Sequence, residues 1–333
     1  MSVHRLPSPV GITATGAHFP DRIVTNDELA QHLDTNDAWI YSRTGIRERR
    51  RAEPGTGASD LAAPALQMAL DRRGLAASEL DAIIVATITP DYPFPSTACL
   101  VQARLGATRA FGFDLAAACS GFLYALTTGA ALVAAGTCAR VAVVGVDIMS
   151  TVIDPEDRAT AVLFGDGAGA VLLERVDEGF GLLDFDQQMD GTGARYLYQP
   201  AGGSRRPPCP ESLAGREHFL VQDGREVYRR AVTQLAESAR LMLDRNGLTP
   251  EQLDLFVPHQ ANIRIMDAAA KRLQLPAGKL MANIERCANT TAATIPTALH
   301  EAVVTGRLSR GNLVVLAAFG AGFTWGSALL KWQ

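Results

Sequence analysis

A stretch of the chain repeats itself, and the repeat limits the folds available to it. Leu70-Asp-Arg-Arg-Gly-Leu-Ala-Ala-Ser-Glu-Leu-Asp81 leads into the apolar run Ala82-Ile-Ile-Val-Ala86. It recurs 173 residues later as Leu243-Asp-Arg-Asn-Gly-Leu-Thr-Pro-Glu-Gln-Leu-Asp254, leading into Leu255-Phe-Val-Pro258. A helix end, a Gly turn and a strand can coincide once by chance, because Gly just past a helix is common. At the same offset, however, Val141-Ala-Val-Val144 falls on Val314-Val-Leu-Ala317. Two matches at one offset favour a duplicated unit. Each half alternates strands with amphipathic or Ala-rich helices, which predicts an α/β fold with mostly parallel sheets covered by helices. The halves are taken as 1–178 and 179–333. Between the repeats, Met189 to Glu211 is rich in Gly, Pro and Arg and reads as a long surface excursion.

At 333 residues the chain is long enough for two substantial cores. A net charge of −4 gives no support to nucleic-acid binding, so any basic site must be local. The five cysteines, Cys99, Cys119, Cys138, Cys209 and Cys287, are scattered without CxxC spacing. That argues against a zinc site or disulfide framework and for a reducing compartment. The N-terminal residues lack a signal-peptide core, and no stretch approaches about 20 consecutive apolar residues. The expectation is a soluble, cytoplasmic protein with no membrane insertion and no metal. Phe164-Gly-Asp-Gly-Ala-Gly169 fits neither GxGxxG nor a P-loop, because an apolar strand follows it where those motifs need a helix. A tight turn with close backbone approach is expected there.

Three polar residues stand at junctions that lead into helices. Cys119 follows the apolar run from Phe111 in Phe-Asp-Leu-Ala-Ala-Ala-Cys-Ser-Gly, His259 ends Phe256-Val-Pro-His, and Asn289 opens Asn-Thr-Thr-Ala-Ala. Singly, each has a plain reading: a small buried hydrophobe, a satisfied core histidine, a turn former. Together they read as one site assembled from several loops. A cysteine at a helix N-terminus meets unpaired amides and the positive dipole end, which predicts a lowered thiol pKa and a nucleophile.

Seven segments then occur in an order that identifies a family. They are Asp37 to Arg49, Phe94-Pro-Ser-Thr-Ala-Cys99, Ala116-Ala-Ala-Cys-Ser-Gly-Phe122, Phe164 to Gly169, Val257-Pro-His-Gln-Ala-Asn262, Asn289-Thr-Thr-Ala-Ala293 and Ala318-Phe-Gly-Ala-Gly-Phe-Thr-Trp-Gly-Ser327. The chain resembles the beta-ketoacyl-acyl-carrier-protein synthase III family, the initiating condensing enzymes of type II fatty acid synthesis. The resemblance runs nearly end to end. It departs at Ala288 and Ala321, where the family usually has glycine.

The resemblance implies a thiolase-like fold, two halves layered αβαβα about a pseudo-twofold axis, and a catalytic set of Cys119, His259 and Asn289. In this family the cysteine takes an acyl group from an acyl-CoA, and a malonyl thioester on a carrier protein then loses CO2 and attacks it. Amides of Cys119 and Ala321 are the implied oxyanion hole. The His259 Nε2–H and the Asn289 carboxamide are the implied donors to the enolate. Trp39, Arg43 and Arg158 match the CoA site, with CoA thioester as substrate and no cofactor. Phe319 resembles an aromatic screen over the site. Phe94 matches a residue that crosses a dimer interface into the partner's acyl pocket, implying a homodimer and a short primer. Arg264, Lys271 and Arg272, seven and eight residues apart on the helix after His259, form a basic stripe suited to an acidic carrier protein.

Rival readings lack their own marks. A cysteine protease shares Cys, His and Asn but calls for Cys-Gly-Ser-Cys-Trp-like context near the N-terminus. A degradative thiolase has a second cysteine in the C-terminal turn, where this chain has Phe319-Gly-Ala-Gly322. Elongating ketosynthases have a second histidine where Asn289 stands. A scaffold has no use for all three polar groups. The alternative kept open is a synthase-III-like acyltransferase or ketosynthase of polyketide or other secondary metabolism.

Overall fold

A computed structural model describes residues 4–333. One sheet is built from β1 (Val10–His18), β2 (Ala82–Ala86), β3 (Phe111–Leu115), β4 (Val141–Ile148) and β5 (Asp166–Arg175), in the order β1-β5-β4-β2-β3. A second is built from β6 (Gly181–Met189), β7 (Leu255–Pro258), β8 (Leu313–Gly320) and β9 (Thr324–Lys331), in the order β7-β8-β9-β6. Read from its other end, the second sheet repeats the first strand for strand, short of β3. The duplication extends to hydrogen-bond register: Ala82 pairs with Val141, and Leu255 pairs with Val314. The place of β3 in the second sheet is marked by a single bridge between Phe256 and Leu280.

The ladders are mixed. β2 runs parallel to β3 and β4, and β7 parallel to β8, whereas β5 and β9 lie antiparallel to both neighbours. That is less parallel pairing than the alternation of strands and helices predicts. The reason is local: β8 returns as β9 through the short turn Ala321 to Phe323, and a hairpin can only be antiparallel.

The strands β2 and β4 are buried along their whole length, as continuous apolar runs require when both faces are covered. Helices α1 (Asp37–Thr44), α2 (Ala58–Arg73), α3 (Thr97–Leu105), α4 (Gly121–Ala134), α5 (Gly224–Arg245), α6 (Ile263–Leu273) and α7 (Thr294–Val304) supply the covers. The outer face of the first sheet packs on α2 and α3, with Leu66, Leu70 and Val101 against Ile83, Val85 and Val144. On the second sheet the outer cover is α5 and α6, with Leu235, Met242 and Ala269 against Phe256, Val315 and Leu329. Between the sheets lie α4 and α7, whose Phe122, Leu126, Ile295 and Leu299 share one core with strands of both. The result is five layers, αβαβα. Helix α4 is apolar on most sides because just a narrow stripe that includes Tyr124, Thr128 and Ala131 escapes full burial.

Of the glycines of Phe164 to Gly169, Gly167 and Gly169 lie at the start of β5 and Gly165 just before it, none of them in a turn. Their use is close approach: a Cβ on Gly169 would sit 2.8 Å from both Pro296 Cβ and the Thr297 nitrogen, so glycine lets α7 seat on the strand. The excursion from Met189 to Glu211 is mostly exposed, but Leu197 and Ala201 turn inward. Among the described residues no helix is long and apolar enough to cross a membrane.

Candidate active site

Cys119 sits in a 3-10 turn, Ala118–Ser120, that joins the end of β3 to α4. Ala118 before it has φ +46°, a left-handed conformation that sharpens the turn. The end of β8 presses on this turn: a Cβ at Gly320 would lie 2.8 Å from the Cys119 amide nitrogen, so only glycine fits. His259 follows β7 directly, its N–H donating to the Ala317 carbonyl at 2.8 Å. Asn289 is fixed between elements of the other half, its N–H on the Leu163 carbonyl at 3.0 Å and its carbonyl accepting from Gly165 N–H at 3.1 Å. All three line one cavity of about 230 Å3, together with Phe319, Gly320 and Ala321.

Burial sets the protonation states. The Cys119 thiol is pushed up to about 12, first by desolvation and then by the nearby Asp147 carboxylate, with its own amide pulling the other way. The helix-start setting predicts the opposite sign. Loss of water around the sulfur outweighs the dipole, because desolvation acts on the full charge of a thiolate. Desolvation also pulls His259 down to about 3. The resting pair is a neutral thiol and a neutral imidazole.

Hydrogen bonds assign the histidine tautomer and the amide flip. Thr294 Oγ1 donates its only hydrogen to the Thr291 carbonyl at 2.9 Å, so it accepts from His259 Nδ1 at 2.7 Å. Nδ1 therefore carries the hydrogen and Nε2 presents a lone pair, where the family resemblance implies Nε2–H. Asn289 Oδ1 accepts from Thr291 N–H at 2.9 Å, which leaves its Nδ2 hydrogens for the cavity.

Asp147 escaped the sequence reading. It is the last residue but one of β4, is fully buried, and accepts from the Thr87 hydroxyl, the Ile88 amide, the Thr89 amide and hydroxyl, the Thr291 hydroxyl and the Ala292 amide. Burial raises its pKa and those hydrogen bonds oppose the rise. The available signal was an acid closing the apolar run Val141-Ala-Val-Val-Gly-Val-Asp147. The apolar lining was missed too, including Ile88, Met149, Phe164 and Leu220.

The CoA-site residues of the sequence reading come together. Arg43 and Arg158 place their guanidinium carbons 4.6 and 4.9 Å from the centre of the Trp39 ring. Asn262, which lines the cavity, donates to the Arg43 carbonyl at 3.0 Å and ties this cluster to the cavity. Phe319 lines the cavity and also packs on Phe323, 4.9 Å between ring centres. Phe94 is 86% exposed and does not reach the cavity of its own chain. The basic stripe is uneven. Arg264 lies 6.0 Å from the ring of Tyr228, a cavity residue, Lys271 is exposed, and Arg272 turns to donate to the Thr233 hydroxyl at 3.1 Å. Among the described residues no group of three or more His, Cys, Asp or Glu is placed to hold a metal ion.

This arrangement has close counterparts. Residues 113–191 match the sequence model of 3-oxoacyl-acyl-carrier-protein synthase III, and residues 243–332 match that of its C-terminal part. A beta-ketoacyl-acyl-carrier-protein synthase III of Solibacter usitatus is 52% identical over 96% of this chain and 98% of its own. The chain belongs to the beta-ketoacyl-acyl-carrier-protein synthase III family. A crystal structure of a synthase III from Thermus thermophilus superimposes with a TM-score of 0.90, at 46% identity, covering 97% of this chain and 99% of that one. The priming beta-ketosynthase of the R1128 polyketide pathway has the same fold, with a TM-score of 0.91 over 99% of this chain and 98% of that one, but is only 34% identical. Membership makes the chain a condensing acyltransferase with a thiolase-like fold.

Proposed function

We propose that this synthase condenses a short acyl-CoA with a malonyl-carrier protein through an acyl-Cys119 intermediate, giving 3-oxoacyl-carrier protein, CoA and CO2 and initiating fatty acid synthesis. The observation that carries the mechanism is the meeting of a buried thiol, an imidazole lone pair and a free carboxamide donor in one cavity. The Cys119 sulfur bonds to the thioester carbonyl carbon while its proton passes to His259 Nε2. Amides of Cys119 and Ala321 take the oxyanion. As the carbonyl reforms, the C–S bond to CoA breaks and the CoA sulfur leaves with the proton held on Nε2.

In the second half-reaction the malonyl carboxylate departs as CO2 and leaves its bonding pair in an enolate. Asn289 Nδ2–H donates to the enolate oxygen. The enolate carbon attacks the acyl carbonyl and expels Cys119 as thiolate, which takes up a proton. Asn289 cannot act as a base, which suits a step that needs charge stabilisation without proton abstraction. Identity favours the fatty-acid reading over the polyketide one, at 52% to a synthase III against 34% to the priming ketosynthase.

Several features support the partners. Trp39 flanked by Arg43 and Arg158 suits an adenine nucleotide and its phosphates, and Arg264, Lys271 and Arg272 suit an acidic carrier protein. Among the described residues β3 pairs only with β2, and Phe111, Phe113, Tyr92 and Phe94 are exposed along and near its other edge. An unpaired edge with exposed aromatics is what a second copy of the chain would cover, carrying Phe94 to the partner's acyl pocket. The thiols are unpaired, in keeping with the cytoplasm, where CoA and carrier protein are found. The functional halves are read as 1–178, with the nucleophile, and 179–333, with the histidine and asparagine.

The test is turnover of a panel of acyl-CoAs with malonyl-carrier protein, read by mass spectrometry of the carrier. The proposal expects 3-oxoacyl-carrier protein from acetyl-CoA or another short primer. No such product from any short primer would overturn it.

A further inference from the structure

Three hydrogen bonds that bear on the two polar arms of the cavity pass through one residue. Thr291 is buried and has φ +48°, a left-handed conformation that a β-branched residue enters at a cost. Its N–H donates to Asn289 Oδ1 at 2.9 Å. Its carbonyl accepts from Thr294 Oγ1 at 2.9 Å, and that oxygen holds His259 Nδ1 at 2.7 Å. Its own hydroxyl donates to Asp147, whose same carboxylate oxygen accepts the Ala292 amide at 3.2 Å. In an extended or right-handed conformation the N–H and carbonyl of Thr291 could not keep their present directions, so the strained turn is what lets a single residue serve both arms.

We propose that Thr291 is the positioning residue of this site: its amide sets the flip of Asn289, its carbonyl sets the tautomer of His259 through Thr294, and its hydroxyl on Asp147 holds the turn. With the Asp147 anchor removed, the backbone is free to leave the left-handed region. Asn289 then loses the acceptor contact that keeps Nδ2 toward the cavity. Thr294 loses the carbonyl that orients its hydroxyl, and Nε2 is no longer held as the lone-pair nitrogen. Loss of the Asn289 donor falls on decarboxylation and loss of the Nε2 lone pair falls on acylation, so both half-reactions suffer.

The proposal rests on the condensing reading for its kinetic arm and is independent of it for its spectroscopic arm. Thr291→Val removes the hydroxyl and keeps the shape, while Thr291→Ser keeps the hydroxyl. For malonyl-carrier-protein decarboxylation, Thr291→Val is expected to lower kcat on the order of a hundredfold with KM within about twofold, the scale of a misplaced reacting group. Thr291→Ser is expected to stay within about threefold of wild type, at similar melting temperature. Near-wild-type decarboxylation by Thr291→Val, or an equal loss in Thr291→Ser, overturns the proposal.

The second measurement holds even where the valine variant does not fold. Nitrogen NMR of the histidine-labelled full-length protein should find His259 protonated at Nδ1 and bare at Nε2, with Thr294→Val shifting the proton toward Nε2. A wild-type histidine protonated at Nε2 overturns the assignment whatever the enzyme's substrates.

Discussion

Replacing Ala288 with glycine tests whether the loop before Asn289 is strained. Ala288 has φ 57° and ψ −163°, a combination that is nearly glycine-only, and its methyl is fully buried among Ile46, Met266 and Ile284. Holding a Cβ there costs about 1–3 kcal/mol. Glycine would relieve that strain. It would forfeit about 0.8 kcal/mol of methyl burial and a further ~0.4–1 kcal/mol through the greater freedom of the unfolded chain. Taking the middle of each range, Ala288→Gly comes out about 0.5 kcal/mol more stable. The control is Ala269→Gly, an equally buried alanine inside α6. That change relieves nothing and loses about 1.8 kcal/mol, from the methyl and the helix penalty together. Denaturant unfolding of wild type and both variants, at one protein concentration so that any association is held constant, should separate them by about 2 kcal/mol. Equal losses in the two variants would refute the strain argument.

Two further outcomes follow from charge and burial. A thiol held up to about 12 has less thiolate at every pH than free cysteine, so alkylation of Cys119 by iodoacetamide should be slow at pH 7 and still climbing at pH 10. Peptide mapping would read this, and a plateau reached by pH 8 would mean that a thiolate-imidazolium pair exists in the resting site. Lys271 is exposed and lies outside the cavity lining. Lys271→Glu should raise the apparent KM for malonyl-carrier protein about three- to tenfold. The wild-type constant should rise with salt, and acylation by acyl-CoA should hardly change. Unchanged carrier-protein kinetics would leave the stripe a solvated helix face.

The fold was legible because the features that encode it are local and repeated. The Gly turn at Gly74 recurs at Gly247, and the strands after them, Ala82–Ala86 and Leu255–Pro258, take matching places and matching register. Sheet polarity was less legible, since nothing in the composition of Thr324 to Lys331 says that β9 returns by a hairpin. Cys119 and His259 stood out because each follows an apolar strand run just before a helix, and Asn289 because it leads from a loop into a helix start. The network behind them did not. Thr291 and Thr294 look like helix-start threonines, and their roles depend on a left-handed turn and on Asp147, more than 140 residues away in sequence. The thiol was misjudged for a related reason: a helix N-terminus is visible in sequence, whereas the depth of burial that outweighs it is a property of the assembled layers.

The central claim is that Cys119 carries the acyl group between the two half-reactions. Incubation of the full-length protein with radiolabelled acetyl-CoA, followed by peptide mapping, measures this directly. The account predicts one hydroxylamine-labile label, on the peptide containing Cys119, no thioester in Cys119→Ser, and release of the label as 3-oxoacyl product when malonyl-carrier protein is added. Label on Cys99, Cys138, Cys209 or Cys287, or a label on Cys119 that malonyl-carrier protein cannot discharge, would contradict it.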